Sequence, residues 1–191
     1  MTRGLFDDRD ELESIFEELA LELDGLGTAV DVVMVGGSWM LWHSQRASTR
    51  DVDSARRFDA DVKGAIKRVG SRHDLREGWL NDAASPFWPS DASYADCEVV
   101  FERAALVVRT PSPDVIFVMK LYRVDPQDRE DLISLWPLCS FTGPAAAVDA
   151  FTSAYPHAPD DEYLVNYIAD VVRDADQLRP PGAHQSPSPA Q

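Results

Sequence analysis

The sequence predicts an α/β protein with a small mixed sheet flanked by helices and followed by a C-terminal helical lobe. Short β-branched runs alternate with amphipathic helical segments over the first 110 residues, whereas helical spacing dominates after them. With 191 residues, 45% of them hydrophobic, the chain can bury one good core and a small helical lobe. We therefore expect an α/β core over residues 1–110, a helical lobe over 111–178 and a disordered tail over 179–191.

The first three elements follow from spacing and from end signals. Apolar residues at helical intervals predict a helix over residues 7–24, which Gly25 ends. Residues 30–35 are rich enough in β-branched side chains to form a central strand. Residues 38–44 predict a short apolar helix, in which we expect Trp39 and Trp42 to pack in the core. His43, near its end, is interpreted as a surface or capping residue.

Later elements are predicted in the same way. A strand around residues 51–53 precedes an amphipathic helix over 58–69, and a hairpin follows at 97–102 and 106–110. Ser112 and Pro113 are a strong start signal for a helix that carries Lys120. Three more helices are predicted from 125–126, over 144–155 and over 159–178.

Two aspartates one residue apart are the main functional signal. In an extended strand, Asp51 and Asp53 point to one face while Val52 points to the core. Two adjacent carboxylates repel each other unless a cation lies between them, and Mg²⁺ suits such a pair together with substrate phosphates. Asp51 and Asp53 are therefore candidate catalytic and metal-binding residues.

A glycine pair precedes these aspartates. Gly36, Gly37 and Ser38 follow the predicted central strand, where a glycine-rich turn brings backbone N–H groups and a hydroxyl close to a phosphate. Each signal alone is weak, since a glycine pair is usually a plain turn and Asp-x-Asp is usually a solvated pair. Their order and close spacing favour a nucleotide site.

This arrangement resembles the nucleotidyltransferase superfamily that includes DNA polymerase β, and more closely the bacterial AbiEii toxin-like group. The resemblance rests on Gly36-Gly37, on the element from Arg46 to Asp53, and on Met119-Lys120-Leu121. It implies a nucleotidyltransferase fold and transfer of a nucleoside monophosphate from an NTP to an acceptor hydroxyl. Gly36, Gly37, Ser38 and Arg46 would bind the nucleotide, and Mg²⁺ would be the cofactor.

The resemblance also covers the helical lobe. It implies that Lys120 binds the triphosphate as a catalytic residue, although a solvated edge position is an equal alternative. Asp128 and Asp131 match an Asp-x-x-Asp of the toxin-like group, with Gln127 where an arginine usually stands. Asp128 is thus a nucleotide-binding candidate, although the pair would serve equally well to hold Arg50, Arg129 or Lys120 in place.

The polymerase β family has a third carboxylate, for which Asp96 and Glu98 are the candidates by position. Neither lies in an unmistakable motif, so a degenerate protein that binds nucleotide or a partner without chemistry is the rival interpretation. A protein side chain or a small molecule is the alternative acceptor.

Charge distribution bears on the acceptor. The net charge is −15, yet nine of the 18 basic residues and only six acidic ones lie between residues 44 and 78, a local charge of +3. This stretch and the resemblance predict a tRNA acceptor and a toxin with a cognate antitoxin. No segment is apolar enough to span a membrane and the N-terminus is acidic, so a cytoplasmic protein is expected.

Overall fold

A computed structural model of the chain describes residues 6–123 and 128–178. A five-stranded mixed sheet forms its centre, in the order β3-β2-β1-β5-β4. The central strand, β1, pairs antiparallel with β2 and parallel with β5. The sheet is completed by β3, which runs parallel to β2, and by β4, which runs antiparallel to β5. The strands are β1 (Val30–Val35), β2 (Val52–Ser54), β3 (Leu80–Asn81), β4 (Glu98–Arg103) and β5 (Leu106–Thr110).

Helices cover both faces of this sheet. The described helices are α1 (Arg9–Gly25), α2 (Gly36–Trp42), α3 (Ala60–Arg72), α4 (Pro113–Arg123), α5 (Asp128–Leu135), α6 (Pro144–Ala154) and α7 (Leu164–Leu178). Val32 and Met34 of β1 join the core beneath α1 and α3. Val33 and Val35 point to the opposite face and join the core formed by the C-terminal helices. The predicted mixed sheet with flanking helices is confirmed.

Alternation along the strands explains this layering. Successive side chains of a strand point to opposite faces, so β1, whose last four residues are buried, contributes apolar groups to two cores. Trp39 and Trp42 are 1% and 4% exposed and divide between the same two cores, as predicted.

Most predicted boundaries move by a few residues, and one shift matters for the site. α2 begins at Gly36 and not at residue 38, because the chain passes from β1 into the helix with no intervening turn. The glycine pair is therefore the first turn of α2. α7 begins at Leu164, five residues later than the prediction of 159.

All five strands precede residue 111, and helices α4 to α7 follow it. The division into domains stays a prediction, as do the functional roles. The predicted helix start at 125–126, Gln127 and the tail over 179–191 lie outside the described residues. Within the described part of the chain, no helix combines the length and the apolar character that a membrane crossing requires.

Candidate active site

A cleft of about 770 Å³ lies beside the carboxyl end of β1. Four parts of the chain form its walls: the end of β1, the segment before β2, the segment that leads into residues 85–87, and one side of α4. Its lining combines charged side chains with apolar and aromatic ones. The cleft is lined by Val35, Gly36, Gly37, Arg46, Ser48, Thr49, Arg50, Asp51, Asp53, Arg76, Ala83, Ala84, Phe87, Ile116, Met119, Lys120, Tyr122, Arg123 and Asp128.

The two aspartates both face this cleft. Asp53 lies opposite Val35 in the antiparallel pairing of β1 with β2, and Asp51 directly precedes β2. Val52 between them is fully buried in the core beneath α1 and α3. The structure thus has the alternation expected of an extended Asp-x-Asp. No contact or distance assigns a role to either carboxylate, and their functions stay predictions.

Burial dominates the electrostatics of the pair. Burial raises the pKa of Asp53 above its usual range, and the neighbouring Asp51 carboxylate raises it further. A hydrogen bond from Asn81 and the charges of Arg123 and Arg76 act in the opposite direction. The net effect is still a raised pKa, so the ionised Asp53 is disfavoured where it lies.

Gly36 allows the chain to approach Asp53 closely. Its φ of +67° lies in the left-handed region, which disfavours residues with a Cβ. A Cβ at this position would lie 3.0 Å from Asp53 Oδ2. The turn from β1 into α2 and the carboxylate therefore share one confined space.

Gly37 has the same function toward the segment before β2. A Cβ there would lie 2.8 Å from Thr49 Oγ1 and 3.0 Å from Arg46 Nη1. Thr49 is buried, and its hydroxyl donates to the carbonyl of Asp51 at 3.1 Å. Glycine at position 37 therefore lets α2 pack against the segment that positions Asp51.

Ser38 is placed differently from the prediction. Its side chain is 1% exposed, and its hydroxyl donates to the Val35 carbonyl at 2.9 Å. It is absent from the lining of the cleft. The local interaction of a serine with the preceding turn accounts for it, and its predicted contact with phosphate has no support in this arrangement.

Lys120 is held by two carboxylates. Its Nζ donates to Asp128 Oδ1 at 2.7 Å and to Asp131 Oδ2 at 2.6 Å, and all three side chains are buried. Arg46 Nη1 lies 3.9 Å from Asp131 Oδ2. The alternative in which Asp128 and Asp131 hold Lys120 in place is thus the one that the contacts support. We refer to Lys120, Asp128, Asp131 and Arg46 as the Lys120 network.

Asp128 retains one free acceptor in this network. Its Oδ2 is buried and accepts no hydrogen bond from any residue in the described ranges. Asp128 also lines the cleft. A buried acceptor without a donor is costly, so this oxygen is suited to a ligand hydroxyl.

Arginines that the sequence analysis did not assign supply the positive charge of the cleft. Arg76 Nη1 lies 3.4 Å from Asp51 Oδ2. Arg50 and Arg123 line the cleft and form no ion pair with the described residues. Arg50 directly precedes Asp51, so its closeness to the aspartate pair could have been inferred from the sequence. Arg123 and Asn81 become recognisable only when α4 and β3 are placed beside β2.

The candidates for a third carboxylate lie elsewhere. Glu98 begins β4, which β1 and β5 separate from β2, a distance of about 14 Å at the usual strand spacing. Asp96 lies just before β4 and, like Glu98, is exposed and outside the lining of the cleft. Among the described residues, no group of three or more His, Cys, Asp or Glu side chains is arranged to hold a metal ion. The structure therefore does not bring Asp96 or Glu98 to the pair.

The basic stretch between residues 44 and 78 is largely neutralised within the described structure. Arg68 and Arg72 contact Glu22 of α1, at 2.6 and 2.9 Å. Arg56 contacts Asp31 at 2.6 Å, and Lys63 contacts Asp82 at 3.0 Å. Much of the local excess of positive charge is therefore paired with carboxylates of α1, of β1 and of the segment after β3.

Comparison with known families decides the class of the protein. Residues 10–137 match a family model described as a nucleotidyltransferase of unknown function, DUF6036. The match covers two thirds of the chain, including the whole sheet, the glycine pair, both aspartates and the Lys120 network. The chain belongs to the DUF6036 family. Membership supports the predicted nucleotidyltransferase class and makes a nucleotide the implied substrate.

No curated protein and no solved structure matches this DUF6036 chain. The resemblance to the AbiEii toxin-like group therefore stays a prediction. Nucleotidyltransferases typically use divalent metal ions. Asp51 and Asp53 fit such an ion, because they are adjacent carboxylates that both line the cleft.

Proposed function

We propose that this DUF6036 protein transfers a nucleoside monophosphate from an NTP to an acceptor hydroxyl, with Mg²⁺ as cofactor. One observation carries the proposal: two adjacent carboxylates face a cleft that also contains the glycine pair and two arginines without a described partner. Asp51 and Asp53 would hold the cation, which polarises the phosphate and neutralises charge that develops on it. This chain's own groups bind and orient the nucleotide.

The positions of the cationic side chains support a set of phosphate contacts. Arg50 and Arg123 line the cleft and form no ion pair with a described carboxylate, so they bind the triphosphate, with Arg76 beside them. Gly36 and Gly37 keep side chains out of the space beside Asp53 and Asp51. Lys120 is a positioning residue in this proposal, because it holds Asp128 and Asp131 in place. The sequence had predicted it as a phosphate ligand.

Asp128 also belongs to the proposed site. Its Oδ2, which accepts no hydrogen bond from a described residue, would accept one from a hydroxyl of the nucleotide or of the acceptor. The acceptor itself is a tRNA, and the protein is the toxin of a toxin–antitoxin pair in the cytoplasm. The toxin role rests on the resemblance to the AbiEii-like group, and the tRNA acceptor on that resemblance and the basic stretch. A degenerate nucleotide-binding protein is the second candidate, favoured because no group of three or more His, Cys, Asp or Glu side chains among the described residues is arranged to hold a metal ion.

The test combines nucleotide transfer with thermal melting. Wild type is incubated with Mg²⁺, each α-³²P-NTP and total tRNA, and label in the RNA is measured. Asp51→Asn and Asp53→Asn should abolish transfer. Without metal, their melting temperatures should equal or slightly exceed that of wild type, because each variant removes one of two adjacent charges.

Asp96→Asn and Glu98→Gln are the matched controls, since they remove carboxylates of the same kind outside the cleft. Both should retain full activity. Activity loss in either control would restore it as a third metal ligand and contradict the arrangement described above. A wild type that transfers no label, yet is stabilised by Mg²⁺ and NTP together, would be the degenerate binding protein. If neither effect occurs, the proposal fails.

A further inference from the structure

The proposed function assigns no part of the nucleotide to the apolar side chains of the cleft. Ten large apolar side chains are exposed among the described residues, and only Phe87 and Tyr122 of these line the cleft. Phe87 is 49% exposed and Tyr122 is 39% exposed. Their ring centroids lie 6.1 Å apart with an interplanar angle of 48°. Two aromatic rings are therefore open to the same space that the aspartate pair faces.

Contacts with the end of α6 hold both rings in place. Tyr155 stacks on Tyr122, with centroids 4.1 Å apart and an angle of 25°. The Tyr155 hydroxyl donates to the carbonyl of Phe87 at 2.7 Å. Ser90 donates to the Ala154 carbonyl through both its backbone N–H and its hydroxyl. The loop that carries Phe87 and the end of α4 that carries Tyr122 are thus both attached to the end of α6.

We propose that Phe87 and Tyr122 form a stacking platform for the base of the nucleotide, an inference that rests on the proposed function. An NTP has a flat aromatic end and an anionic end, and the cleft offers exposed rings for the first and cationic side chains for the second. Met119, Ile116 and Ala84 add apolar surface to the same cleft. Exposed aromatic rings bind bases by stacking, because every base has a π-face.

The position of α4 favours the nucleotide base over a base of the acceptor. Arg123 is the next residue after Tyr122, and its charge acts on Asp53. The platform is therefore beside the carboxylate pair. The phosphorus atom that is transferred is also the one attached to the nucleoside of the NTP. The base of the NTP is therefore tied to the reacting phosphorus through a single sugar, which places it within reach of the platform.

Titration calorimetry in Mg²⁺ tests the platform, with each NTP compared with inorganic tripolyphosphate. Phe87→Ala and Tyr122→Leu should each weaken NTP binding by about tenfold, because one stacking surface is lost. Both should bind tripolyphosphate as wild type does, since the phosphate contacts remain. Tyr122→Phe keeps the ring and should retain wild-type affinity for both ligands.

Tyr163→Ala is the control for loss of an exposed ring, because Tyr163 is 68% exposed and outside the lining of the cleft. It should change neither affinity. Equal weakening of NTP and tripolyphosphate in Phe87→Ala would indicate a disturbed cleft and would overturn the platform, as would unchanged NTP affinity. If the variants instead lose affinity only for a short RNA ending in CCA, the rings bind the acceptor and the inference is wrong. A wild type that binds neither NTP nor tripolyphosphate would refute the proposed function as well.

Discussion

Replacing Lys120 by methionine tests whether this lysine is a structural or a ligand-binding residue. Methionine has similar length and apolar character but no charge, so it removes the ammonium group and little volume. In the structure that group is the shared donor to Asp128 and Asp131, at 2.7 and 2.6 Å. The exposed fractions of the three side chains are 8%, 11% and 8%. The variant therefore leaves two carboxylates buried without their main partner.

The expected cost follows from this burial. Removing one partner of a buried ion pair destabilises a protein by about 3 to 5 kcal/mol, because a charge stays buried without compensation. For a chain of this length, that loss lowers the melting temperature by about 6 to 20 °C. Arg46, at 3.9 Å from Asp131, offsets only part of it. Adding Asp128→Asn and Asp131→Asn should recover most of the lost stability, since the buried charges are then gone.

Arg123→Met is the matched control, because Arg123 lines the same cleft but forms no ion pair with the described residues. Its melting temperature should stay close to that of wild type. Its NTP affinity should fall by about 1.5 to 3 kcal/mol, the contribution of a charged hydrogen bond. Calorimetry and thermal melts of both variants give the comparison. The structural interpretation is refuted if Lys120→Met melts like wild type and yet loses NTP affinity.

Two further substitutions examine the packing around α2. Gly37→Ala should destabilise the protein by about 1 to 3 kcal/mol, because its Cβ would lie 2.8 Å from Thr49 Oγ1. Gly25→Ala is the control, since a Cβ at position 25 meets open space and should not lower stability. Equal melting temperatures of the two variants would contradict the packing interpretation. His43 stacks on Trp39 at 4.1 Å, and burial, reinforced by Arg9 and opposed by Glu98, lowers its pKa. The folded state thus resists protonation, so stability is complete above the unfolded pKa of about 6.5 and declines as pH falls below it. His43→Phe should lose less stability than wild type between pH 7.5 and 5.5, and identical pH profiles would count against this origin.

The sequence predicted the parts of the site that depend on local geometry. Alternation along a strand is a property of two neighbouring residues, so the placement of Asp51 and Asp53 around a buried Val52 followed from their spacing. The same applies to β1, whose β-branched composition marked it as central. The packing of Trp39 and Trp42 followed from the apolar character of a short helix.

Partners that come from distant segments could not be predicted in this way. The resemblance implied a triphosphate contact for Lys120, with a solvated edge position as the alternative. The sequence does not show which anion lies closest, and α5 presents Asp128 and Asp131 to it. The basic stretch shows the same limit, since Glu22 neutralises Arg68 and Arg72 only after α1 has packed against α3.

Charge balance connects these observations with the choice of ligand. Within the described cleft and its Lys120 network, five cationic side chains face four carboxylates, so the net charge is about +1 at neutral pH. The Lys120 network is neutral by itself, with two cations and two carboxylates. The excess therefore belongs to the three arginines around the aspartate pair. A triphosphate carries far more negative charge than this excess compensates, and a divalent cation beside the pair reduces the difference. The cleft is thus suited to a nucleotide together with its metal ion, more than to either one alone.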